Sequence, residues 1–115
     1  MRPDELYLGD IVEACDELAE FIPGMNEQRF MQDRLVRSAV LQKLIAIGEA
    51  AARRSRELTD RHPHVPWSDR VGFRNIVVHA YFTVDWQIVW NAASVDAPLL
   101  RELIADILSQ EGLND

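Results

Sequence analysis

The sequence predicts an all-α protein, an up-and-down helical bundle of four long helices and one short extra helix. Three observations carry that prediction. Apolar residues return at three- and four-residue spacing along most of the 115-residue chain. Residues that start and stop helices interrupt this periodicity at regular intervals. Strand-like alternation of useful length is lacking: the β-branched run Ile76-Val77-Val78 is too short and stands between helical flanks.

Leu8, Ile11, Val12, Cys15, Leu18 and Ile22 place a first amphipathic helix from about Pro3 to Phe21, ended by Pro23-Gly24. Asn26 N-caps a short helix over Glu27 to Met31. A longer helix follows from about Asp33 to Leu58, with Val36, Val40, Leu44, Ile47 and Ala51 inward and Gly48, Ala51 and Ala52 permitting close approach of a neighbour. Pro63 and Pro66 disfavour helix at the residues before them, so Asp60 to Pro66 is a loop whose histidines, His62 and His64, are expected to be exposed. Ser68 or Asp69 caps the next helix. Thr83 or Asp85 starts another, in which Trp86 and Trp90 share a face; core packing is their expected role, as it is for Trp67 at a helix entry. Asp96 caps the last helix, Pro98 sits in its first turn, and Leu99, Leu100, Leu103, Ile104, Ile107 and Leu108 form its buried stripe before Gly112. A single small bundle with this much apolar helix surface is expected to dimerise, with two-fold symmetry the common solution.

At this length the chain supports one core, so residues 1–115 are read as a single domain. No apolar run approaches the roughly 20 residues needed to cross a bilayer, and the start Met1-Arg2-Pro3-Asp4-Glu5 lacks a signal peptide's apolar stretch; a cytoplasmic protein without membrane contact is expected. Cys15 is the single cysteine and falls on the first apolar stripe, which makes it a buried structural thiol. Three histidines and that cysteine, scattered, give no metal-ligand spacing, and no cofactor is expected. The net charge of −7 argues against nucleic acid until the charges are placed. Residues 1–27 hold eight acids and one base, residues 28–74 ten bases and five acids, and residues 75–115 six acids and one base. The bases therefore collect on the helix and loop that lead to Arg74.

Residues 74–81 read Arg-Asn-Ile-Val-Val-His-Ala-Tyr, an RxxxxHxY octet. It brings a permanently charged guanidinium, an imidazole that titrates near neutrality and a phenol within about two helical turns. These groups suit phosphate chemistry. A guanidinium neutralises a phosphodiester in the transition state, and an imidazole moves the proton of a ribose 2′-hydroxyl without need of a metal. On one helix Asn75 and His79 are four apart and share a face, so the Asn amide can fix the imidazole tautomer. Arg74 and His79 are five apart and diverge by roughly 140° at about 100° per residue. They converge if the helix unwinds near His79, if the arginine bends around, or if two motif helices meet at a two-fold axis and each protomer supplies an Arg and a His to a composite cleft.

The octet stands among Ile47-Gly48-Glu49-Ala50-Ala51, Pro66-Trp67-Ser68-Asp69, Val71-Gly72-Phe73, Phe82 and the segment from Val84 to Trp90. In that order these segments resemble the HepT toxins of the HEPN superfamily, all-helical ribonucleases paired with a nucleotidyltransferase antitoxin called MntA in type VII toxin–antitoxin systems. The resemblance runs from about Pro3 to Leu108. It implies a metal-independent endoribonuclease acting on RNA, with His79 activating or protonating, Arg74 holding the scissile phosphate and Asn75 in support. It also implies a homodimer or higher oligomer, and a Tyr81 that accepts AMP from an MntA-like partner, which silences the ribonuclease. The alternative, from another class, is a non-catalytic nucleotide- or partner-binding subunit of a nucleotidyltransferase, since fold alone does not fix function.

Overall fold

A single apolar stripe organises the molecule. In the computed structural model, which describes residues 3–65, 67 and 84–111, helix α1 runs over Pro3–Phe21 and buries Leu8, Ile11, Ala14, Cys15 and Leu18. Cys15 is thus the buried thiol expected from its place on the stripe. Asn26 N-caps α2, Glu27–Gln32, accepting from the Arg29 amide at 2.9 Å, and Asp33 N-caps α3, Arg34–Ala52, accepting from the Val36 amide at 3.0 Å. Ser55 then N-caps the short α4, Arg56–Arg61. Asp85 caps α5, Trp86–Asn91, with bonds from the Gln87 and Ile88 amides, and a π-helical turn over Ala92–Asp96 joins it to α6, Ala97–Gln110.

The all-α bundle expected from the sequence is what the described residues form, and no strand occurs among them. α1 lies between α3 and α6 and runs antiparallel to both. Ion pairs mark the registers: Glu17 to Lys43 at 2.8 Å, and Asp16 to Arg101 at 3.0 Å. The core between them holds Val40, Leu44 and Ile47 of α3 and Leu100, Ile104 and Ile107 of α6. Phe30 of α2 is fully buried and closes one end, its ring 6.4 Å from Trp86 and 5.1 Å from Trp90. The two tryptophans are therefore packing residues, as their spacing implied.

Four local expectations are overturned. The long third helix stops at Ala52, not Leu58, because Asp4 takes the Ser55 amide at 2.8 Å and its hydroxyl at 2.5 Å, and Arg54 bonds the Ala51 carbonyl at 2.7 Å. Asp96 caps nothing. It is helical at φ −72° and ψ −41°, and the chain from Trp86 to Gln110 is one helix. Pro98 cannot donate to the Ser94 carbonyl and its ring crowds it; the wider turn, in which the Ala97 amide reaches Ala92, absorbs the defect. Leu99 is 64% exposed, off the stripe it was assigned to. His62 is buried, whereas His64 is exposed as expected.

The burial of His62 belongs to a clamp at the far end of the bundle. Arg61 donates twice to Glu111, at 3.0 and 2.9 Å, and His62 Nε2 lies 2.6 Å from the same carboxylate. The His62 carbonyl accepts from the Trp67 indole at 3.0 Å. Hydrogen bonds from Arg61 hold the Glu111 carboxyl below its ordinary range, against the opposing pull of burial. A carboxyl lowered by folding adds stability in full above its unfolded value, and that stability is lost as pH falls through the lowered one. Urea midpoints measured down the acid limb should therefore drop less steeply for Glu111→Gln than for the wild type, while at neutral pH the variant should be the less stable of the two. Parallel acid limbs would contradict this assignment.

Candidate functional site

Arg74, Asn75, His79 and Tyr81 lie outside the described residues, as do Ser68, Asp69 and Thr83. The described residues supply the frame on either side of them. On the upstream side Trp67 is buried, held through its indole by His62 and covered by the Arg54 guanidinium at 5.2 Å. Arg54 is itself fixed by the Ala51 carbonyl and by Thr59 Oγ1 at 3.0 Å, so this anchor sits at the C-terminal end of α3. On the downstream side Asp85 starts α5 and Trp86 packs on Phe30, with Arg37 at 4.9 Å over its ring. Arg37 Nε is buried without a hydrogen-bond partner among the described residues, and its guanidinium lies over the indole face. The two anchors, near Ala51 and Arg37, are roughly 20 Å apart along the axis of α3 at 1.5 Å per residue.

The basic run of the sequence divides into two sets. Among the described residues, Arg37, Lys43, Arg54 and Arg61 are engaged by Trp86, by Glu17, by Trp67 and Thr59, and by Glu111. Arg29, Arg34, Arg53 and Arg56 are exposed. The first two of these lie at the N-terminal end of α3 and the last two at its C-terminal end, so positive charge flanks both anchors. The outward face of α1 carries the opposite sign, with Asp10, Glu13, Asp16 and Glu20 exposed.

Sequence reasoning missed the His62–Glu111–Arg61 clamp and the Asp4–Ser55 pair. Their partners are 49 to 51 residues apart, and no local pattern announces such contacts. The imidazole of His62 is committed to Glu111, which leaves it a structural part. No cluster of three or more metal-ligating side chains occurs among the described residues, and none of their helices is long and apolar enough to cross a membrane.

Comparison with known proteins shows a family for the chain. The family model described as ribonuclease HepT-like matches residues 11–107. "Putative RNase MJ1380" of Methanocaldococcus jannaschii is 32% identical over 101 residues, covering 88% of this chain and 93% of that protein. "Putative RNase TTE0752" of Caldanaerobacter subterraneus subsp. tengcongensis is 31% identical over 111 residues, 96% of this chain and 99% of that one. "Probable ribonuclease HepT" of Thermococcus cleftensis is 34% identical over 100 residues, 87% and 91% of the two chains. No solved structure matches. With a family model spanning most of its length and relatives that align nearly end to end, the chain belongs to the ribonuclease HepT-like family.

Proposed function

We propose that this protein is a metal-independent endoribonuclease toxin that cuts RNA with Arg74 and His79 and is silenced by AMP transfer to Tyr81. The observation that carries the reading is the intact RxxxxHxY octet in a chain of the HepT-like ribonuclease family. The relatives' names, which state an RNase, support the substrate class. So do the exposed arginines that stand near the two aromatic anchors, Trp67 and Trp86.

In the reaction the ribose 2′-oxygen attacks the adjacent phosphorus as an imidazole takes its proton. The bond from phosphorus to the 5′-oxygen breaks, a proton is delivered to that leaving oxygen, and the products are a 2′,3′-cyclic phosphate and a 5′-hydroxyl. Arg74 neutralises the non-bridging oxygens as charge builds on them, and Asn75 orients the imidazole. Two protons move, so two imidazoles serve best. A homodimer in which each protomer brings one Arg74 and one His79 to a shared cleft supplies both and removes the 140° divergence within one helix. The regulatory partner is a nucleotidyltransferase of the MntA kind. AMP on Tyr81, two residues from His79, adds a phosphate and bulk beside the arginine and displaces RNA.

His79→Ala and Arg74→Ala should each lower RNA cleavage about 100-fold or more with helicity unchanged. A His79→Ala protein that cuts at the wild-type rate would remove His79 from the site. Tyr81→Phe keeps the ring and loses the acceptor oxygen. Co-expressed with the cognate nucleotidyltransferase, it should remain an active ribonuclease without added AMP, whereas the wild type gains AMP on Tyr81 by fragmentation mass spectrometry; AMP found on another residue of the wild type would contradict the regulatory role.

A further inference from the structure

The surface carries a knob and a groove of opposite charge that share no lining residue. Leu35, in the first turn of α3, is 81% exposed, the most exposed large apolar side chain among the described residues. Its neighbour Arg34 is exposed, as is Arg29 of α2, and both arginines line a single shallow depression at this end of the molecule. The groove, of about 500 Å³, runs between α1 and α6. Gly9, Val12, Ala105 and Leu108 give it an apolar floor, exposed Glu13 and Glu20 give it an acidic rim, and the charge of Arg101, which also lines it, is met by Asp16 at 3.0 Å. A side chain built on Gly9 would meet nothing within 4 Å, so the space above it is open.

We propose that the occupant of this groove is a second copy of the same chain, docked head to tail by seating Leu35 on the Gly9 floor with Arg29 and Arg34 against Glu13 and Glu20. Charge complementarity decides the arrangement. A two-fold axis through the groove would bring acidic rims together, and one through the knob would bring arginines together, each at a cost that rises as water is expelled. The head-to-tail contact pairs opposite signs while covering the exposed leucine. Knob and groove share no residue, so each copy offers both, and the contact propagates into a ring or an open chain. Arg29 and Arg34 also stand near the downstream anchor of the motif segment, yet the contact is argued from knob, groove and charge and does not rest on the RNA reading.

Sedimentation velocity on the full chain tests this over a series of concentrations. The wild-type weight-average mass should rise about twofold or more as the contact fills. Leu35→Glu removes the knob, and Gly9→Gln fills the groove with a better helix former whose Cβ meets nothing within 4 Å. Each variant alone should keep its lowest mass at every concentration, with unchanged helicity. Their mixture should regain a rise of at most twofold, because the intact knob of one variant enters the intact groove of the other and no further pair of intact surfaces is left. A wild-type mass independent of concentration, single variants that assemble like the wild type, or a mixture that fails to recover would each overturn the proposal, the last two pointing to a different contact or to a basic segment of another protein as the occupant.

Discussion

The burial of α1 between two antiparallel neighbours positions every other described element. Its stripe of Leu8, Ile11, Cys15 and Leu18 meets α3 on one side and α6 on the other. Each fully buried leucine or isoleucine contributes about 1.5–3 kcal/mol, and a helix of α1's composition has no comparable source of stability alone in water. The pairs Glu17–Lys43 and Asp16–Arg101 are partly exposed, so their worth is register more than energy. Once α1 is seated, Asp4 arrives beside Ser55 and breaks α3, and Glu111 arrives beside Arg61 and His62. The frame around the motif segment is a consequence of that seating.

Periodicity and capping made the bundle legible in the sequence. The bounds of α1, the cap Asn26, a helix start near Asp33, a further start at Thr83 or Asp85, of which Asp85 is the cap, and the burial of Cys15 and Trp67 follow from local pattern alone. The departures occur where a distant residue or a single hydrogen bond overrules that pattern. Nothing near Ser55 announces Asp4, and nothing near His62 announces Glu111. Pro98 reads as a helix start by its usual preference, yet a π turn carries the helix through it. Leu99 entered the apolar stripe by its place beside Leu100, but within α6 it stands about 140° around the helix from Ile104 and faces outward. Arg74, Asn75, His79 and Tyr81 are candidates by residue type and spacing, and they lie outside the described residues; fold alone does not assign their roles.

Charge shows how an acidic protein can handle RNA. The net charge of −7 is concentrated at the two ends of the sequence, and on α1 the acids turn outward. Arg29, Arg34, Arg53 and Arg56 lie toward the ends of α3, near the anchors of the motif segment. Such segregation orients an anionic substrate as it approaches and discourages binding elsewhere on the surface. The engaged bases serve the frame instead, as Arg54 does on Trp67 and Arg37 on Trp86.

The central claim is that Arg74 and His79 act together in one RNA-cleaving cleft shared by two protomers. Its most direct measurement is complementation: inactive Arg74→Ala and inactive His79→Ala chains, unfolded and refolded together, are assayed on RNA in EDTA beside each variant refolded alone. The account predicts that the mixture recovers a fraction of wild-type cleavage, with 2′,3′-cyclic phosphate ends, because mixed dimers rebuild a cleft from one intact arginine and one intact histidine. Mixed dimers that form, as shown by native mass spectrometry, and still leave RNA uncut would contradict it.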